Sequence, residues 1–344
     1  MLSGLKSTLK EGLLYLTYRA TQPKDLPQCF EMITERPAFD SPQSRKDLMA
    51  FWKAVLKDRS CISAVVEDRE RPEGGKIVGF GMSLFVTDEF AREALTTLPP
   101  FLVVQAVDRW KRKKIFFLDR KSVARHNSEK ELKLMVVNYG VERQKSIELE
   151  LPIREKMLQS LVFFHGGYQV TEIFQEGYGP QEKELIISNL GFHLRREYDE
   201  FAGKTPLVRT IQPFLYGVTR EEAINSPGLG ALPFFLCPNP RFGFSLGEQD
   251  VLEMSLLEGT DEDIARAMDL TIWAVKKRWQ EIYKKVEKLD PAILEGAGEK
   301  VESEEEPQKS RRRFLLNYLR IHLEEIRPSG VSRRGGKRVR KKSK

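Results

Sequence analysis

Three short helices are predicted by residues 244–288, FSLGEQDVLEMSLLEGTDEDIARAMDLTIWAVKKRWQEIYKKVEK. Ser245 and Glu248 stand three positions apart, the spacing of a capping box, in which each side chain bonds the other's backbone N–H at the start of a helix. Thr260 and Asp263 repeat this pattern at the second helix. Because helix starts follow one another so closely, the stretch predicts a compact helical module in an otherwise mixed chain.

The third helix of this stretch is predicted to have an apolar face and a basic face. It begins at Thr271, a preferred N-cap residue. Asp269, just before it, suits a tight turn because Asp tolerates left-handed backbone. Residues 272–288 contain six basic and two acidic side chains. The predicted inward stripe is Val275, Trp279, Ile282 and Val286, and the opposite face carries Trp273, Lys276, Lys277, Gln280 and Lys284.

Residues 244–288 resemble the DNA-binding domain of LuxR-type regulators. The residues that match the family motifs are Ser245, Glu248, Val251, Leu252, Gly259, Asp263, Ile264, Ala265, Thr271, Val275, Lys276, Ile282 and Tyr283. Asp269, Arg278 and Trp279 replace the usual glycine, histidine and leucine of the family. The resemblance implies a helix-turn-helix whose third helix enters the major groove of double-stranded DNA. The residues expected to contact DNA are Thr271, Trp273, Lys276, Lys277, Gln280 and Lys284.

Basic charge is concentrated at the end of the chain. The net charge of the 344 residues is +7, and residues 328–344 alone carry eight basic side chains and no acidic one. The rest of the chain is therefore close to neutral. We expect this tail to be disordered and to add salt-sensitive contacts to DNA phosphates. The tail residues expected to make these contacts are Arg333, Arg334, Lys337 and Arg338.

Residues 1–202 have the alternation of short apolar runs and amphipathic stretches that is typical of an α+β domain. The predicted strands are 62–66, 77–86, 132–138, 168–174 and 192–198, and the predicted helices are 101–110, 154–164 and 181–189. The turn residues Arg71, Pro72, Gly74 and Gly75 favour an antiparallel hairpin between the first two strands. With Tyr18-Arg19-Ala20 leading into Asp25, and with Asn189-Leu190-Gly191-Phe192, this order resembles the GNAT acetyltransferase fold, with 88–130 as an insertion.

GNAT enzymes hold the acetyl-CoA diphosphate in a Q/R-x-x-G-x-G/A loop after the fourth strand. Residues 139–145, YGVERQK, have one glycine and lack this spacing. We therefore predict a non-enzymatic domain with no cofactor and no catalytic residues. It would sense a small molecule or a protein, or hold subunits together. Tyr178 and Glu176 would be acid–base residues if the domain were an acetyltransferase.

Five further segments follow the first domain in the predicted organisation. They are a Pro/Gly-rich connector (203–243), the helix-turn-helix (244–290), an acidic linker (291–310), an amphipathic helix (311–327) and the basic tail (328–344). The helix presents Leu316, Leu319, Leu323 and Ile326 at coiled-coil spacing, which fits either dimerisation or packing onto the DNA-binding module.

The cysteines and histidines indicate neither disulfides nor a metal site. Cys29, Cys61 and Cys237 lie far apart, and the four histidines lack metal-ligand spacing. No apolar run is long enough to span a membrane. We expect a cytoplasmic, nucleoid-associated transcription regulator that binds DNA as a homodimer. The alternatives are a GNAT-type N-acetyltransferase fused to a DNA-targeting module and a protein-interaction adaptor.

Overall fold

A seven-stranded sheet forms the centre of the first two thirds of the chain. The structure is a computed structural model that describes residues 15–144, 147–189, 191–226, 230–257, 259–295 and 307–329. The strands lie in the order β1-β2-β3-β4-β5-β7-β6. Their bounds are β1 Leu16–Ala20, β2 Cys61–Asp68, β3 Ile77–Val86, β4 Leu132–Val141, β5 Val170–Tyr178, β6 His193–Glu197 and β7 Pro213–Thr219.

Strands β4 and β5 form the single parallel pair of this sheet, and the other neighbours are antiparallel. The predicted hairpin of β2 and β3 is present, with Val65 opposite Phe80. Strand β3 has the predicted bounds, because its turn residues and its continuous apolar run are local signals.

Helices cover both faces of the sheet. On one face, the first four helices bury a core that contains Phe51, Trp52 and Phe80, and on the other face the sixth helix packs through Ile153 and Met157. Their bounds are α1 Leu26–Met32, α2 Pro42–Lys57, α3 Asp88–Thr96, α4 Leu102–Lys111, α5 Arg120–Glu129, α6 Ile147–His165, α7 Pro180–Asn189, α8 Pro206–Ile211 and α9 Arg220–Asn225. The segment 88–130, predicted as an insertion, supplies α3, α4 and α5.

The segment 203–243, predicted as a connector, contains a strand of the sheet. Strand β7 lies between β5 and β6, so the sheet extends beyond residue 202. The prolines of this segment led to the prediction of a connector. Pro206 is in fact the first residue of α8 and Pro213 the first residue of β7, and proline is tolerated at both positions. Helix α6 also begins earlier than predicted and runs through Pro152.

The remaining described helices form a helical unit, which we define as the described residues from 242 to 329. They are α10 Leu246–Leu256, α11 Asp261–Ala267, α12 Ile272–Leu289, α13 Ala292–Glu295 and α14 Pro307–Ile321. Both predicted capping boxes are present, at Ser245 and at Thr260. Asp269 has the predicted left-handed backbone, with φ of 53°. The four side chains of the predicted inward stripe of α12 are all buried: Val275, Trp279, Ile282 and Val286.

The C-terminal amphipathic helix packs onto this helical unit. Leu315, Leu319 and Ile326 are buried in the same cluster as the stripe of α12. Helix α14 ends at Ile321, and a 3₁₀ turn follows at Leu323–Ile326, so the predicted coiled-coil spacing is interrupted. Of the two predicted alternatives, dimerisation and packing onto the neighbouring helices, the second therefore describes this segment, because its apolar side chains already lie against α10 to α13.

Arginine side chains join the helical unit to the unit that contains the sheet, which we call the α/β unit (described residues 15–241). Arg59 lies 2.9 Å from Asp250 and 3.1 Å from Glu253 of α10, and Arg120 also pairs with Asp250. Arg327 is buried and bonds Glu253 at 2.9 Å. It also donates to the carbonyl oxygens of Phe163 and Gly166 at the end of α6.

Two predicted features fall mostly outside the described residues, namely the acidic linker beyond Glu295 and the basic tail with Arg333, Arg334, Lys337 and Arg338. Among the helices that are described, none combines the length and the apolar character needed to cross a membrane.

Candidate functional site

An opening between β4 and β5 separates two parallel strands in the middle of the sheet. Their pairing ends at Val136 and Gln175. Beyond this point β4 continues along β3, and β5 continues along β7. The register of β4 also shifts at Val137, which is the position of a β-bulge. The backbone groups that face the opening are therefore available for contacts other than sheet pairing.

A buried carboxyl group, Glu176, lies beside this opening. Its oxygens accept hydrogen bonds from the backbone N–H groups of Phe101 at 2.8 Å and Leu102 at 3.0 Å, and from the Tyr178 hydroxyl at 2.9 Å. Glu176 and Tyr178 are two residues apart on β5 and so share one face of the sheet. Burial raises the pKa of Glu176 to about 7, which places its titration near neutral pH.

A second buried carboxyl group, Glu35, belongs to the same cluster. The side-chain amide of Asn138 on β4 donates a hydrogen bond to it, and the amide oxygen of Asn138 accepts one from Trp52 Nε1 at 3.0 Å. Burial, together with a smaller repulsion from Glu176, raises the pKa of Glu35 to about 8. Burial and the two carboxyl groups also raise the pKa of Tyr178 well above its ordinary value.

Neutral donors hold both carboxyl groups of this cluster. Within the described ranges, no lysine or arginine forms an ion pair with Glu35 or Glu176. A buried carboxyl without a cation favours its protonated form. The two carboxyl groups and the tyrosine hydroxyl of this cluster are therefore held with raised pKa values beside the opening.

A cavity of about 550 Å³ lies on the other face of the sheet, between the strands and α6. Tyr139 of β4 and Arg154 of α6 are at the end beside the opening, and burial raises the pKa of Tyr139 to about 12. Glu182 connects this end of the cavity to the Glu176 and Tyr178 side of the sheet. Its carboxylate accepts a hydrogen bond from the Tyr178 backbone N–H at 3.3 Å. Most of the remaining lining is apolar, including Leu134, Val136, Met157, Leu161, Phe164, Ile173 and Phe234.

The residues around the opening do not fit the diphosphate of an acyl-CoA. Gly140 lies within β4, where an added Cβ would stand 2.6 Å from the carbonyl oxygen of Met32, so this glycine serves close packing. In the loop after β4, Glu142 pairs with Arg71. The described loop residues 142–144 thus supply an acidic group where an anion would need N–H donors.

The residues predicted to contact DNA lie together on the exposed side of α12. Thr271 caps the helix by accepting from the Ala274 N–H at 3.1 Å. Trp273 is 70% exposed, and Lys277 Nζ lies 5.4 Å from the centre of its ring. Lys284 pairs with Glu281 at 2.9 Å. Lys276 and Gln280 are exposed on the same helix.

Two other basic residues of α12 serve contacts inside the helical unit. Lys285 bonds Glu248 at 2.6 Å and the carbonyl oxygen of Gly243 at 3.2 Å. Arg278, which replaces the usual family histidine, reaches the carbonyl oxygen of Gly247. The local positive charge that the sequence indicated is therefore only partly available to an outside partner.

Glu35 and Asn138 were not among the residues predicted from the sequence. Glu176 and Tyr178 were named only for the acetyltransferase alternative, whereas Glu35 lies in a loop and Asn138 is more than 100 residues away from it in sequence. No local pattern joins these two residues, because they are brought together by the contact of the loop at Ile33 with Gly140 of β4.

Comparisons with known proteins give matches to solved structures alone. No protein-family model matches the chain, and no curated protein matches it. A variant of the spermidine N-acetyltransferase SpeG from Vibrio cholerae is 13% identical, with a TM-score of 0.33, over 62% of this chain and 99% of that one. A chimera of SpeG and hSSAT is 12% identical, with a TM-score of 0.34, over 61% and 99%. The C-terminal condensation domain of Ebony is 11% identical, with a TM-score of 0.32, over 59% and 98%.

These matches bear on two of the predictions. Part of the chain has a GNAT-like mixed α/β fold, as the resemblance of the first 202 residues implied. The matches are to acetyltransferases, against the prediction that the chain is not an enzyme, and we withdraw that prediction; their TM-scores of 0.33 and 0.34 give this chain no activity. The absent glycine spacing in residues 139–145 was too weak a reason to exclude an activity. The LuxR-type resemblance of residues 244–288 stays a prediction.

Proposed function

We propose that this chain is a GNAT-type acyltransferase joined to a DNA-binding helical unit. The observation that carries the enzymatic part is the cluster of Glu35, Glu176 and Tyr178 at the opening between β4 and β5. Perturbed titratable groups in one cleft are typical of catalytic sites. The substrate class is an acyl thioester donor and a primary amine acceptor.

The cluster can supply both proton transfers that acyl transfer requires. The amine nitrogen forms a bond to the acyl carbon, the carbon–sulfur bond breaks, and one proton moves from nitrogen while another reaches sulfur. We assign Glu35 as the base that accepts the proton from the amine and Tyr178 as the acid that protonates the leaving sulfur. Glu176, hydrogen-bonded to Tyr178, returns a proton to the tyrosine oxygen.

The buried carboxyl groups also fit an amine acceptor. An ammonium group that approaches Glu35 and Glu176 would find uncompensated negative charge whenever either carboxyl group is ionised. Because the pKa of Glu35 is about 8, this carboxyl group is mostly protonated at neutral pH, and its proton-accepting form increases as the pH rises through about 8. The proposal therefore predicts an activity that rises from neutral toward mildly alkaline pH.

The test is an acyl-transfer assay with acetyl-CoA as donor and with spermidine or a lysine peptide as acceptor. Tyr178→Phe keeps the ring and removes the acidic hydroxyl, so we expect the rate constant to fall by at least about 100-fold. Tyr15→Phe is the matched control, because Tyr15 is 45% exposed and remote from the opening. Equal rates for the two variants, or no transfer by the unaltered protein, would remove the proposal.

DNA binding by α12 is the second part of the proposal. The observation that favours it is an exposed face with Trp273, Lys276, Lys277, Gln280 and Lys284 on a helix whose opposite face is buried. Lysines bind phosphates, and Gln280 and Trp273 would contact base edges. Arg333, Arg334, Lys337 and Arg338 of the tail would add phosphate contacts, and a homodimer would read two half-sites about one helical turn apart.

Replacing charges on α12 tests this second part. The triple variant Lys276→Ala/Lys277→Ala/Lys284→Ala should lower DNA affinity and flatten the dependence of log K on log salt by about 0.9 per lost phosphate contact. The control is Lys46→Ala/Lys53→Ala/Lys57→Ala, which removes the same charge from exposed positions of α2. If both triple variants bind DNA equally, the proposed face of α12 is excluded.

A further inference from the structure

The cavity between the sheet and α6 extends well beyond the opening between β4 and β5. The residues of α6 that line it run from Leu151 to His165. At 1.5 Å per residue this corresponds to about 21 Å along the helix. Its volume of about 550 Å³ falls in the range of pockets that hold whole small molecules. A two-carbon acyl group would leave most of this volume empty.

The two ends of the cavity differ in charge. Arg154, which pairs with Glu150, and Glu182 stand at the end beside the opening and make it polar. The lining also includes Phe164 and His165 at the far end of α6, and Phe234; His165 is 4% exposed. The end beside the opening therefore suits a polar head, and the far end suits an apolar chain.

His165 lines the far end as an uncharged ring. Its Nδ1 lies 2.8 Å from the carbonyl oxygen of Leu161, so Nδ1 carries the proton, and Nε2 is buried with no partner among the described residues. Burial lowers the pKa of His165 to about 4, so the ring is neutral at neutral pH. It stands on the last residue of α6, where the helix dipole disfavours anions. A ligand thus cannot place a carboxylate there.

We infer that this cavity binds an unbranched acyl chain of medium length, with its polar end at Arg154 and its methyl end at His165. The inference rests on the proposed function in one respect, namely that the acyl chain is delivered as a thioester. The same cavity would also accept the free carboxylic acid, which has the same chain and a polar head. A longer chain gains affinity because each buried methylene contributes favourably.

Titration calorimetry with acetyl-CoA, octanoyl-CoA and octanoate tests this inference on the full chain. Each buried methylene corresponds to about a fourfold gain in affinity at most. We therefore expect octanoyl-CoA to bind at least tenfold more tightly than acetyl-CoA, and octanoate to bind without any nucleotide. Equal affinities for the two thioesters, with no binding of octanoate, would overturn the inference.

A substitution within the cavity supplies the second measurement. Ala64 of β2 lines the cavity, and Ala64→Leu adds three carbons to it, so octanoate affinity should fall at least tenfold. Ala50→Leu makes the same change at an exposed position of α2 and should bind octanoate as the unaltered protein does. Thermal unfolding checks that Ala64→Leu is folded. If it is not, the series of chain lengths on the unaltered protein decides alone.

Failure of this inference and failure of the proposed function give different results. If octanoate binds and octanoyl-CoA transfers its acyl group to no amine, the inference about the acyl chain is supported and the enzymatic proposal fails. If acetyl-CoA transfers its acyl group while affinity is independent of chain length, the enzymatic proposal stands and the inference about the chain fails.

Discussion

Glu253 of the helical unit and Glu176 of the α/β unit both lie in contacts between distant parts of the chain, but their partners differ. Arg327 and Arg59 pair with Glu253 at 2.9 and 3.1 Å. Glu176 receives hydrogen bonds from two backbone N–H groups and a tyrosine hydroxyl, and burial raises its pKa to about 7. The two carboxyl groups therefore have different roles. A carboxylate matched by cations fixes the arrangement of two units, whereas one held by neutral donors stays able to gain and lose a proton.

Removing the cation from the matched pair should have the largest effect. Arg327→Met leaves Glu253 without its buried partner and the carbonyl oxygens of Phe163 and Gly166 without a donor. We expect a loss of about 3–5 kcal/mol in the free energy of unfolding, measured with urea. Arg241→Met is the control, because Arg241 is 54% exposed where it pairs with Asp290 and such pairs contribute at most about 1 kcal/mol. Similar losses in both variants would contradict the structural role of Arg327.

Removing an unmatched carboxyl should change how stability depends on pH. Burial raises the folded-state pKa of Glu35 to about 8 from its ordinary 4.5, so the unfolded chain ionises first. The contribution of Glu35 to stability is therefore full below about pH 4.5 and is lost as the pH rises toward 8, by about 1.4 kcal/mol per pH unit. Between about pH 5 and pH 7, Glu35→Gln should gain about 2–3 kcal/mol relative to the unaltered protein.

Urea titrations at a series of pH values measure this difference. Glu200→Gln serves as the control with the opposite sign, because the hydrogen bond from Arg196 lowers the pKa of the exposed Glu200. Its stability relative to the unaltered protein should change little, and in the other direction. A pH profile for Glu35→Gln that runs parallel to the unaltered protein would show that the carboxyl group is not held protonated.

Close backbone packing between the two units can be tested at Gly167. This residue has φ of 83°, and an added Cβ would stand 2.5 Å from the backbone of Leu323 and Glu324. Gly179 has nearly the same φ, 82°, and no atom within 4 Å of an added Cβ. Both alanine variants incur the left-handed backbone penalty of about 1–2 kcal/mol. We expect Gly167→Ala to lose about 1–3 kcal/mol more than Gly179→Ala in thermal unfolding. Equal losses would mean that the units do not meet at Gly167.

A helix cap should give the smallest effect. Thr260 accepts a hydrogen bond from the Asp263 N–H at 3.1 Å, and Thr260→Ala should lower the free energy of unfolding by about 1 kcal/mol. Thr205 is also an N-cap threonine, but its side chain caps no N–H group. Thr205→Ala should therefore change stability by a few tenths of a kcal/mol at most, as measured with urea. A larger loss at Thr205 than at Thr260 would contradict the capping assignment.

Features that depend on neighbours in sequence were predictable. The hairpin of β2 and β3 follows from two apolar runs around a turn, and the capping boxes at Ser245 and Thr260 follow from residues three apart. Glu176 and Tyr178 were named only for the acetyltransferase alternative, because the predicted strand ended at residue 174, whereas β5 runs to Tyr178 and places both side chains on one face. Strand β7 was missed, because its place between β5 and β6 depends on partners far away in sequence.

The sequence by itself determined the helices at 244–288, including the buried stripe of α12 and the left-handed turn at Asp269, because capping and helical periodicity act over a few residues. The tertiary structure alone decided that β4 and β5 part after Val136, that Glu35 joins Glu176 beside this opening, and that Arg327 reaches Glu253. These contacts join residues many positions apart, and no local pattern records them. The candidate active site therefore depends on tertiary contacts, whereas the helices of the helical unit can be predicted from local sequence.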